Sequence, residues 1–111
     1  MNLRVEERGE AMLIEVGEER LDAHNSSDLK SQMLNLFEEN RTNLLVDLKE
    51  VRFVDSSGLG ALVSGFKNAS ARNGNLKLCG LQPQVKSMFE LTRLHRVFEI
   101  FPGVDEALAS F

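Results

Sequence analysis

The run Asn43-Leu44-Leu45-Val46-Asp47-Leu48 is almost continuously apolar, and Val51, Phe53 and Val54 carry the pattern on to Asp55. A strand of that composition has to be covered by other elements, as a central strand of a layered sheet is. Directly behind it the spacing changes. Leu59, Leu62, Val63, Phe66 and Ala69 recur on one helix face, and Asn73-Gly74 supplies a C-terminal stop. A buried strand feeding an amphipathic helix leaves few architectures open. The helix has to cross back over the sheet, and the next strand then lies parallel to the first.

The rest of the chain repeats the alternation. Leu3-Arg4-Val5-Glu6 alternates apolar and polar residues, Arg8-Gly9-Glu10 can turn the chain, and Ala11 to Val16 returns as the second strand of a hairpin. Gly17 to Asp22 reads as a polar, charged connection. Asn25 is placed to cap a helix with Asp28 in its first turn and a stripe of Leu29, Met33, Leu36 and Phe37. Leu76 to Cys79 is a short strand, and Pro83 opens a helix whose inner face is Val85, Met88, Phe89 and Thr92. Val97 to Phe101 predicts a final strand and Val104 to Phe111 a terminal helix. The expected order is β-β-α-β-α-β-α-β-α. That is an α/β fold with a small mixed sheet, an antiparallel hairpin followed by parallel strands, and about four helices. The 111 residues suit one domain spanning 1–111.

Composition excludes several functions. The net charge of −4 opposes nucleic-acid binding, which needs a basic surface. The single Cys79 allows no internal disulfide and fits a reducing, cytoplasmic setting. The segment Met1 to Glu7 lacks an apolar core, and no stretch reaches membrane-spanning length, so no direct membrane insertion is expected. His24, His95 and Cys79 have no metal-ligand spacing, and no cofactor is expected. Phe37, Phe53, Phe66, Phe89 and Phe98 fall on predicted inner faces and read as core.

The chemistry concentrates at Asp55-Ser56-Ser57-Gly58-Leu59-Gly60, where the apolar strand meets the helix. A helix N-terminus exposes unpaired N–H groups and the positive end of the peptide dipole. A serine there either caps the helix or carries a phosphate, and the physics alone does not separate Ser56 from Ser57. Gly58 and Gly60 serve tight helix–strand packing or a close-fitting partner. Asp55 and Asp22 have a plain reading as cap and loop end, and a functional one as carboxylates near the serine. No G-x-S-x-G elbow surrounds Ser56, and Asp22, His24 and Ser56 have no triad spacing, so a serine hydrolase is a remote alternative. The Gly-Lys-Ser/Thr ending of a phosphate-binding loop is also missing.

The segment from Leu44 to Leu48 and on through Phe53-Val54-Asp55-Ser56-Ser57-Gly58-Leu59-Gly60 resembles the STAS family, and within it the bacterial anti-sigma factor antagonists. Leu21-Asp22-Ala23-His24-Asn25-Ser26-Ser27-Asp28-Leu29, Gly74 to Leu78 and the helix containing Pro83 extend the likeness over nearly the whole chain. The resemblance implies helices packed mainly on one side of the sheet and a binding protein rather than an enzyme. It implies a partner, an anti-sigma factor serine/threonine kinase, bound by the unphosphorylated form so that the sigma factor is freed. Phosphorylation of the serine after the motif's aspartate, which maps to Ser56, weakens that binding, and a phosphatase acting on phospho-Ser56 resets it. The family's acidic loop position maps to Asp22. On this mapping Ser57 becomes the expected capping group. The surface expected to meet the partner is Asp22, His24, Asn25, Asp55, Ser57, Gly58, Leu59 and Gly60. An alternative keeps the fold but makes the chain a constitutively docked subunit of another signalling or lipid-transport assembly.

Overall fold

Five strands form the main sheet: β1 (Leu3–Arg8), β2 (Ala11–Val16), β4 (Asn43–Asp47), β6 (Asn75–Cys79) and β7 (Ile100–Phe101), side by side in that order. The coordinates are a computed structural model that describes residues 1–111. The β1–β2 hairpin is antiparallel, and every later pairing, β2–β4, β4–β6 and β6–β7, is parallel. Four α-helices fill the crossovers and the end of the chain: α1 (Ser26–Glu38), α2 (Ser56–Ala71), α3 (Pro83–Leu91) and α4 (Val104–Ala109).

Side-chain alternation gives the sheet two unlike faces. Ile14, Val16, Leu44, Val46, Leu48, Leu76 and Leu78 belong to one buried cluster with Leu29, Met33, Leu36 and Phe37 of α1, Leu62 and Ala69 of α2, and Val85 and Phe89 of α3. The opposite face carries a smaller cluster of Leu13, Leu45, Cys79 and Ala107, packed by Val104 and Leu108 of α4 and by Phe101 and Phe111. Three helices therefore cover one face, and one short helix covers part of the other. On that second face Lys77 is buried, with its Nζ donating to the Ser110 carbonyl at 2.8 Å and its hydroxyl at 2.9 Å.

Several local expectations change. The Gly17–Asp22 connection contains a strand, β3 (Arg20–Leu21), which pairs in parallel with β5 (Phe53–Val54) in a separate two-stranded sheet. The apolar run from Asn43 to Val54 is accordingly two strands, separated by a turn at Leu48–Val51 closed by the Val51 amide on the Leu48 carbonyl. Phe53 is exposed rather than core, and the Arg20 guanidinium lies 4.2 Å from its ring centroid. The final strand is only Ile100–Phe101, because Leu94–Arg96 winds into a 3₁₀ turn and Phe98 folds into the core against Phe66 and Phe89. Thr92 is not on an inner face: it is exposed, with its hydroxyl donating back to the Met88 carbonyl. The stop at Asn73-Gly74 is a left-handed Asn73 (φ 61°), with the Gly74 amide reaching back to Ala69 O at 2.8 Å.

Candidate functional site

The two short strands bring together the segments on which the motif residues stand. Because β3 and β5 run parallel, the loop after Leu21 and the turn after Val54 leave the small sheet at the same end. The Asp22–Asn25 loop leads into α1, and Asp55 leads into α2.

Asp55 joins them. It is the N-cap of α2, in extended conformation, and its Oδ1 accepts the Gly58 amide at 2.9 Å. Its Oδ2 accepts the Ala23 amide across the gap at 3.2 Å, and its own amide donates to the Leu21 carbonyl at 3.2 Å. The expectation that Ser57 caps α2 is therefore corrected. The carboxylate reaches the amide of the third helical residue, Gly58, from the residue before the helix, which leaves the cap position to Asp55 and puts Ser56 and Ser57 inside the first turn. Both serines are exposed, and neither hydroxyl nor amide has a hydrogen-bond partner in the chain. The helix mouth thus presents two hydroxyls and two free N–H groups at the positive end of the dipole.

The loop is held just as closely. Asp22 Oδ1 accepts the His24 amide at 3.0 Å, and Oδ2 accepts from the Arg20 Nε at 3.3 Å. The His24 hydrogen bond is the main reason the Asp22 carboxyl sits below its ordinary pKa. Arg20 adds to the effect, and desolvation opposes it. Asn25 stands at the N-cap position of α1 but does not cap it with its side chain. Instead Oδ1 accepts the Asp22 amide at 2.9 Å, and Nδ2 donates to the Arg20 carbonyl at 2.7 Å. His24 is exposed, with no side-chain bond to the rest of the loop.

The two glycines divide. A Cβ on Gly58 would lie 2.4 Å from the Leu21 carbonyl oxygen and 2.8 Å from Val54, so this position lets the helix start press against both small strands. A Cβ on Gly60 would meet nothing within 4 Å. Leu59 is half-buried and packs on the core. Arg20, Ala23 and Phe53 complete the site; the sequence pointed to none of them as site residues, Arg20 going unmarked, Ala23 standing only within the matching segment and Phe53 reading as core. Two-residue strands carry no readable period, and only Leu21 between charged neighbours hinted at one.

Nothing hydrogen-bonds to the Ser56 hydroxyl, and no group of three or more His, Cys, Asp or Glu residues is arranged to hold a metal ion. No helix is long and apolar enough to cross a membrane.

Comparisons with known proteins bear on the family and the fold. The chain is 28% identical over 110 residues to an anti-sigma F factor antagonist of Paenibacillus polymyxa, covering 97% of this chain and 94% of that protein. It is 34% identical over 80 residues to an anti-sigma-B factor antagonist of Listeria monocytogenes, covering 72% of this chain and 70% of the other. The fold matches the solved structure of the Bacillus cell fate determinant SpoIIAA in its phosphorylated form, with a TM-score of 0.77, 19% identity and 98% of each chain covered. The STAS domain model matches residues 2–107, and the chain belongs to the STAS domain family.

Proposed function

We propose that this protein is an anti-sigma factor antagonist whose partner binding is switched at Ser56. Unphosphorylated, it binds an anti-sigma factor serine kinase through the Asp22–Asn25 loop and the start of α2, and so frees the sigma factor. Phosphorylation of Ser56 breaks that contact, and a phosphatase restores it.

The observation that carries this reading is the state of Ser56: first residue of α2, exposed, its hydroxyl unengaged because Asp55 already caps the helix. A kinase can take the hydroxyl without breaking any bond of the fold. The phosphate brings about −1.5 to −2 charges, which the helix dipole favours by about 0.3–1 kcal/mol at an exposed site. In a closed interface the same charge has to be desolvated, at a cost of several kcal/mol. A loss of about 2.8 kcal/mol is already a hundredfold in affinity. The interface effect wins, so binding changes and the fold does not. That relatives over this length are named anti-sigma factor antagonists supports the partner class.

The test is incubation with the candidate kinase and ATP, followed by mass spectrometry of the modified peptide, with Ser56→Ala as control. Labelling should vanish in Ser56→Ala, and Ser56→Asp should bind the kinase at least tenfold more weakly. Undiminished labelling of Ser56→Ala would remove the site assignment. A stable complex indifferent to ATP and to Ser56→Asp would favour a constitutive subunit of another assembly.

A further inference from the structure

Behind the switch site, α1 and α2 form a groove. α1 and α2 start beside one another, tied at their N-termini by the Asp55–Ala23 hydrogen bond, and they pack together along their length. One turn into α1 the rims separate and enclose a cavity of about 260 Å³, lined by Ser27, Lys30 and Leu34 on α1 and by Ser64 and Asn68 on α2. Met33, Phe37 and Gly65 make its floor. Gly65 sets the depth: a Cβ there would lie 2.6 Å from the Met33 sulfur and 2.8 Å from Leu76. The far end is closed by Arg72, which donates to Asn68 Oδ1 at 3.2 Å and lies 5.3 Å from the Phe37 ring centroid. Between Ser57 and the cavity the same side of α2 carries only the small residues Gly60 and Ser64, and a Cβ on Gly60 would meet nothing within 4 Å.

We infer that this groove is the second half of the partner-binding surface, and that it receives an apolar side chain flanked by a carboxylate from the same protein that reads Ser56. The inference rests on the switch reading above and extends it to residues outside the motif. Three observations carry it. The groove lies between the two helices whose starts carry the switch site, about two turns along α2 from Ser56, so a partner that is seated on Ser56 and follows α2 meets it. Leu34 is 44% exposed on the rim, an apolar side chain left in water beside an apolar floor. Lys30, on the same rim, has no carboxylate within 4 Å although the chain as a whole is acidic. An apolar anchor in a pocket with a charge at its rim is how a helix laid in a groove is held.

The experiment compares wild type, Leu34→Glu, Lys30→Glu and Ser56→Asp for binding to the purified anti-sigma kinase by calorimetry, with thermal melts as the folding control. Leu34 and Lys30 are exposed, so both variants should melt as wild type does. Leu34→Glu should weaken binding at least tenfold and Lys30→Glu several-fold, and the Lys30→Glu loss should shrink at high salt. If Ser56→Asp abolishes binding while both groove variants bind as tightly as wild type, the groove plays no part and the switch stands alone. If wild type itself fails to bind the kinase, the switch reading fails and the groove inference with it. Should Leu34→Glu melt early, Ser64→Trp, which fills the cavity from the other rim, decides the matter by the same tenfold criterion.

Discussion

Asp55 accepts the Ala23 amide at 3.2 Å with one carboxylate oxygen while the other caps α2 through Gly58. One side chain therefore holds the two halves of the candidate interface in register, and its loss should be felt in both. Asp55→Ala is expected to cost about 1–2 kcal/mol, the cap plus a stranded loop amide. Hydrogen exchange separates this from a general loss of stability, because the Ala23 and Gly58 amides should lose protection before amides of β4. Asp55→Asn keeps an acceptor for one amide and should recover most of the loss.

The two glycines of the motif should respond in opposite directions. Gly58→Ala pushes a methyl group into the Leu21 carbonyl and should destabilise by about 1–3 kcal/mol. Gly60→Ala meets open space inside a helix and should stabilise by about 0.5–1 kcal/mol, through a less disordered unfolded chain. Denaturant melts of the two variants measure both. A protein that keeps glycine at position 60 forgoes that stability. This fits a surface kept low where another molecule presses on α2, and a bulkier residue at 60 should weaken kinase binding without loss of fold.

Much of this was legible in the sequence where periodicity runs long enough to be seen. The strand at Asn43–Asp47 and the helix at Ser56–Ala71 announce themselves by composition and spacing, and they place the motif at a helix mouth. Two things were not legible. The pairing of Arg20–Leu21 with Phe53–Val54 is a tertiary contact between two-residue strands, too short for any pattern, and with the Asp55–Ala23 bond it brings the loop to the helix. The identity of the cap was also open, since Asp55, Ser56 and Ser57 are all good capping residues. Backbone geometry decided it: Asp55 is extended and Ser56 is already helical. The core stripe of α2 was likewise read from its large residues, whereas Gly58, Ala61 and Gly65 are buried because neighbouring elements approach closely there.

Acid should release the brace that Asp22 gives the loop. The His24 amide, assisted by Arg20, lowers the Asp22 pKa in the folded protein. A carboxyl with a depressed folded value binds fewer protons folded than unfolded. Its contribution is therefore complete above the unfolded value, near 4, and is lost as pH falls through the folded one. An NMR titration should show the His24 amide resonance moving with a midpoint below 3.8, the ordinary value. In Asp22→Asn that transition should disappear, while kinase binding at neutral pH weakens because the loop loses its brace.

Cys79 gives an independent reading of how firmly the sheet is closed. Its side chain is fully buried between β4 and β7, and burial, with a smaller push from Asp47, raises its thiol pKa to about 12. At pH 8 only about one molecule in 10,000 then carries a thiolate, and a reagent cannot reach even that one while the sheet is shut. Alkylation of the native protein should be slow and should follow opening of the α4 face, the thinner of the two layers. Lys77→Ala, which releases α4 from its hold on Ser110, should speed labelling of Cys79 well beyond any effect on the global melt. Equal labelling rates in the two proteins would mean that Cys79 is exposed only by complete unfolding, and that α4 is no weaker than the three helices opposite.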